Sequence, residues 1–154
     1  MKSLELELVG EVPEEISVSP LEATFGSLLE SELELPGGII NLAFVNDEAI
    51  RELNKTYSGN DYPTDVLSFD YREDGGPIGE VIGEIAISYE TAARQALEAE
   101  TSLDEEVALL GLHGVLHILG YDHADKPSQE LLQKLQKEIL TAAGVTYREF
   151  KWES

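Results

Sequence analysis

All three histidines of this 154-residue chain fall within one stretch, His113-Gly-Val-Leu-His117-Ile-Leu-Gly-Tyr-Asp-His123. Residues four apart on a helix project from one face, so the imidazoles of His113 and His117 can meet one ion. Gly120 accepts the backbone conformation that ends a helix and swings the chain back, so His123 can close the site from the following loop. Three nitrogens leave one tetrahedral position open, which is how catalytic zinc sites are built. Water at such a position is acidic enough to be hydroxide near neutral pH. The expectation is one divalent metal ion per chain, zinc by preference, serving metal-dependent hydrolysis. Imidazole nitrogens also suit nickel, copper and iron.

The same spacing is the histidine skeleton of metzincin proteases, which carry a glutamate after the first histidine as general base. Here that position is Gly114. Peptide hydrolysis by the usual route therefore loses its proton acceptor, and a metalloprotease stays only as an alternative.

The elements that must position the histidines follow from periodicity and punctuation. Ser102-Leu103-Asp104-Glu105 matches a capping box that starts a helix running to about Leu119, with Gly120 placed to end it in a left-handed turn. Leu109, Leu110, Leu112, Val115, Leu116 and Leu119 form the core side of that helix. Before it, Leu4–Val9, Ile39–Val45, Asp65–Tyr71 and Val81–Ser88 read as strands. Leu21–Leu33 reads as a helix broken by Pro36-Gly37-Gly38. Asn46 or Asp47 caps a short helix through Leu53, and Gly75-Gly76-Pro77 makes a turn. Tyr89–Ala99 and Ser128–Ala143 are further helices, the last stopped by Gly144 and carrying a core stripe of Leu131, Leu135, Ile139 and Leu140. The fold predicted is α+β: one domain over residues 1–154, a small mixed four-stranded sheet packed by about five helices. The metal site lies at the end of a central helix.

Composition narrows the setting. Apolar residues make up 42% of the chain, enough for a core, and there is no cysteine to form a disulfide or a thiolate site. The N-terminus alternates acid with leucine and has no continuous apolar signal segment, and no stretch is long enough to span a membrane. The cytoplasm is the expected compartment. A formal net charge of −21 repels polyanions at long range, which counts against nucleic-acid binding because phosphate contacts usually supply most of the affinity. The acids are scattered, as on a solvated surface. From Met1 to Ile50 the only basic residue is Lys2, and Arg51 and Lys55 then stand one helical turn apart.

Taken with Asp61-Tyr62-Pro63-Thr64-Asp65-Val66-Leu67-Ser68-Phe69, the histidine stretch resembles the YbeY family of bacterial endoribonucleases and ribosomal RNA maturation factors. Gly83-Glu84-Ile85 stands where the family has a Gly-Asp-Ile-like strand, and Leu53-Asn54-Lys55-Thr56-Tyr57 looks like the family's helix before the Pro-Thr-Asp block. The resemblance spans roughly residues 45–144. It implies a zinc-dependent, single-strand-specific endoribonuclease acting in 16S rRNA 3′-end maturation and ribosome quality control. The implied partners are rRNA precursor and ribosomal or ribosome-assembly proteins. One position departs: the family usually has arginine directly after the residue matching Tyr57, and here it is Ser58, which cannot grip phosphate with a charged fork. Lys55 and Arg51 are the candidates to compensate by binding substrate. A rival reading, favoured by Ser58 and by the acidity, is a non-catalytic ribosome-assembly module with a structural metal.

Two carboxylates are candidates for catalysis beside the metal. Asp65 either orients water or a histidine next to the ion, or, with Thr64, caps the turn after Pro63. Glu84 either serves the reaction or faces water from its strand. Asp122 either holds a ligand histidine or caps local backbone after Gly120.

Overall fold

The computed structural model describes residues 3–74 and 80–148. Four strands, β1 (Leu4–Leu8), β2 (Gly38–Val45), β3 (Val66–Asp70) and β4 (Val81–Ser88), form one sheet in the order β1-β2-β4-β3. β1, β2 and β4 run parallel, and β3 pairs antiparallel with β4 on the outer edge. Five helices accompany them: α1 (Ser19–Leu29), α2 (Asp47–Ser58), α3 (Tyr89–Ala99), α4 (Leu103–Ile118) and α5 (Lys126–Ala142). This is the expected mixed four-stranded α+β sheet with its helices. No helix among the described residues is long and apolar enough to cross a membrane.

Alternation of side chains along each strand gives the sheet two unlike faces. Leu4, Ile40, Leu42, Ile85 and Ile87 are buried on the face that receives α4. On the opposite face, in register across the strands, stand Glu7, Asn41, Glu84 and Phe69, and Glu7 and Glu84 are exposed. α4 is buried continuously from Glu106 to Leu116, wrapped by the sheet, α1, α3 and α5. Two glycines let it lie close to the strands. A Cβ on Gly114 would stand 3.0 Å from the Ile85 side chain, and one on Gly83 would meet the Phe69 carbonyl at 2.8 Å and Ile118 at 2.9 Å.

Several boundaries differ from the sequence expectation. α1 stops at Leu29, where the Ser31 hydroxyl takes the Leu28 carbonyl that a further turn would have used. α2 runs one turn past Leu53 and ends at Gly59, whose φ of 76° suits glycine. α5 starts earlier, capped by the Asp125 side chain with Pro127 in its first turn. Its buried stripe is Leu132, Gln136, Ile139 and Leu140, while Leu131 is exposed, so the stripe through Leu131 and Leu135 is corrected by a rotation about the helix axis. The Gly75-Gly76-Pro77 turn lies outside the described residues.

Near its start α4 buries a charge. Glu106 is 1% exposed, and the guanidinium of Arg148, beyond α5, donates through Nε at 2.8 Å and also through Nη2. A buried carboxylate without its partner costs far more than the pair is worth against apolar residues. Arg148→Ala is therefore expected to cost about 3–5 kcal/mol, measured by urea denaturation. Replacing both residues with leucine should cost less than that single change. At Gly114, restoring the protease-like glutamate forces a carboxylate into the Ile85 contact. Gly114→Glu is expected to lose about 3 kcal/mol or more by the same measurement and to gain no peptidase activity.

Candidate metal centre

α4 begins as a capping box: the Ser102 hydroxyl accepts from the Glu105 backbone N–H at 3.1 Å and lies 3.2 Å from the Glu105 carboxylate. Acids in the first turn suit the positive end of the helix dipole. At the other end the helix closes at Ile118, and Gly120, at φ 105°, reverses the chain. The loop that follows carries His123, whose carbonyl accepts from the Gln129 amide at 3.0 Å.

The three imidazoles come together at this end. His113 is 7% exposed, His117 is exposed on the next turn, and His123 is half-buried in the loop. The ring of His123 lies 6.3 Å from that of His113 and 6.5 Å from that of His117, centroid to centroid. Metal–nitrogen bonds of about 2.0–2.1 Å would bring such rings to about 5 Å apart. Among the described residues no group of three His, Cys, Asp or Glu side chains is drawn in to ligand spacing. The rings thus lie near one another but stand wider than a closed site.

The sequence reading missed Gln136. Its Oε1 lies 2.8 Å from His113 Nδ1, and the residue is fully buried on α5. A carbonyl oxygen accepts, so this contact suits the tautomer with the proton on Nδ1, in which Nε2 keeps its lone pair, the form a metal ligand needs. Burial holds the His113 pKa down to about 4, against the smaller opposing effect of Gln136. A ring that stays neutral in this way remains a donor well below neutral pH. The available signal was a glutamine at the i+4 step of an otherwise apolar stripe, Leu132-Gln136-Leu140.

The other candidates sit elsewhere. Asp65 precedes β3 at the end away from Asp70; five residues at about 3.3 Å each put it roughly 17 Å along the strand. Asp70 is the residue paired with Gly83, against which Ile118 packs. Asp65 accepts from the Val66 N–H at 2.8 Å and the Thr64 hydroxyl at 3.3 Å, the turn-capping alternative. Burial pushes its carboxyl up, opposed by hydrogen bonds from Gln95 and the local backbone. The contacts of Asp65 are thus those of the turn-capping reading of the two expected. Glu84 faces the opposite side of the sheet from α4, beside the Tyr71 hydroxyl. Burial, the Glu84 carboxylate and the nearby Tyr57 push the Tyr71 phenol up to about 12. Asp122 accepts from the Ala124 N–H at 3.2 Å, which is local capping.

Arg51 and Lys55 are exposed on α2, and Arg51 Nε donates to Asp61 at 2.7 Å. Ser58 is exposed at the end of the same helix. Arg72, which follows β3, donates through Nη2 to the Ile118 carbonyl at 2.6 Å, tying the edge strand to the end of α4.

A family model described as Endoribonuclease YbeY matches residues 11–144. The Endoribonuclease YbeY of Heliobacterium modesticaldum is 41% identical over 134 residues, covering 80% of this chain and 81% of the relative. That of Desulforamulus reducens is 39% identical over 148 residues, covering 90% and 97%. The solution structure of TM1509 from Thermotoga maritima superposes with a TM-score of 0.60 at 27% identity, covering 90% of this chain and 88% of that one. With a sheet, a histidine-bearing helix and a family match that agree over most of its length, the chain belongs to the YbeY endoribonuclease family.

Proposed function

We propose that this enzyme cleaves single-stranded RNA with one divalent ion, zinc by preference, held by His113, His117 and His123. We further assign it to 16S rRNA 3′-end maturation and ribosome quality control in the cytoplasm, alongside ribosomal or ribosome-assembly proteins. The carrying observation is the His113–Gln136 contact, which supports the tautomer that leaves Nε2 as a donor. His117 follows one turn later and His123 is brought round by Gly120, so the donor set is three imidazole nitrogens and no thiolate. That set fits zinc and leaves room for substrate oxygen.

A divalent ion bound there supplies Lewis acidity toward a phosphoryl oxygen and positive charge within a negative protein. The chain's own contribution is positional. α4 is clamped on all sides, Gln136 orients His113, and Gln129 holds the His123 loop. Asp65 and Glu84 take no proton-transfer role in this reading, because they stand away from the rings. Ser58 favours the assembly-module reading, in which metal is retained but RNA is not cut. The Gly114–Ile85 contact removes support from the protease alternative.

Metal-loaded protein is expected to cut a single-stranded RNA and to lose about a hundredfold or more of its rate with EDTA. His117→Ala, chosen because the residue is exposed, should do the same while keeping the fold by circular dichroism. Equal rates with and without EDTA reject the reading, and stoichiometric metal without cleavage favours the assembly module. Gln136→Leu should weaken zinc affinity about 10–100-fold in competition with a chromogenic chelator.

A further inference from the structure

Charge makes RNA recognition by this chain an unusual problem. A protein at −21 has little long-range attraction to offer a polyanion. On α2 the cations are Arg51 and Lys55, and Arg51 already holds Asp61. An uncharged source of affinity would relieve the deficit. Stacking of bases on aromatic rings is such a source, since it depends on ring faces and not on net charge.

Tyr57 has the properties this requires. It is 68% exposed, and no other aromatic side chain among the described residues is exposed as much. Its ring is held 5.1 Å from that of Phe69 at 69°, so packing fixes its orientation while most of its surface stays open. Phe69 pairs with Glu84 across the β3–β4 ladder, and Glu84 engages the Tyr71 hydroxyl. Tyr57, Phe69 and Tyr71 therefore form an aromatic ledge at the end of β3. The next pair along that ladder, Asp70 and Gly83, packs on Ile118, adjacent to His117. Ledge and histidines thus share one end of the sheet, on opposite faces, with only the edge strand between them.

We propose that Tyr57 is the base-stacking residue that holds RNA on this protein and gives it a preference for unpaired substrate. A strand that passes from the histidines around β3 to the ledge presents a free base face only if its bases are unpaired. The assignment rests on the RNA-cleavage reading above and adds to it the residue that selects single strands.

The test uses the full-length protein and an uncleavable 2′-O-methyl oligoribonucleotide carrying 2-aminopurine, presented single-stranded and as a duplex. Binding of the single strand is expected to quench the fluorophore, with the duplex bound much more weakly. Tyr57→Ala should weaken single-strand binding about tenfold or more, while Tyr57→Phe stays within about threefold. The logarithmic salt slope should be shallower than about −2, reflecting few phosphate contacts. Wild-type affinity and quenching in Tyr57→Ala overturn the stacking role, and if wild-type protein still cuts RNA the cleavage reading survives that result. Absence of both binding and cleavage in the wild-type protein overturns the two together.

Discussion

The enclosure of α4 is the constraint on which the remainder of the molecule depends. A helix buried from Glu106 to Leu116 must satisfy every polar group it carries. It carries two with chemistry, one near each end. Glu106 is matched by Arg148, and His113 by Gln136, each from a segment further along the chain. The glycines that bring α4 close to the strands, Gly83 and Gly114, serve the same enclosure. A histidine in such a setting is held in position by its burial and its Gln136 contact before any ligand arrives. This is preorganisation supplied by the core, not by a mobile loop.

The acidity of the chain then takes on a defined meaning. Acids occupy the outer face of β1 and the first turns of α2, α3 and α4, where they favour helix starts and solubility. The end of the sheet that carries the histidines is different in kind: three imidazoles on one face, an aromatic ledge on the other, and Arg72 bracing the edge between them.

Much of this was legible in the sequence because it is local. The four-residue step between His113 and His117, the Ser102 cap and the Gly120 reversal are each encoded within a few residues and appear as expected. What escaped depends on distant partners. Gln136 carries no local mark beyond its place between apolar residues, and its burial follows from how α5 turns toward His113. Glu106 stands among the first-turn acids of α4, and its burial depends on Arg148, 42 positions further along the chain. Asp65 was open between two roles, and contacts with Val66, Thr64 and Gln95 decide its placement. The extra turn of α2 was masked by Thr56, Tyr57 and Ser58, weak helix formers, of which Tyr57 packs against Phe69 on β3.

The Glu106–Arg148 contact also bears on the order in which the molecule can be completed. The two residues are separated by 42 positions, so a ribosome that has already released the start of α4 must add α5 and the segment after it before the counter-ion exists. Until then the helix faces a desolvation cost that opposes its docking onto the sheet. A nascent chain stalled inside α5 therefore lacks the partner of a carboxylate that the finished fold buries.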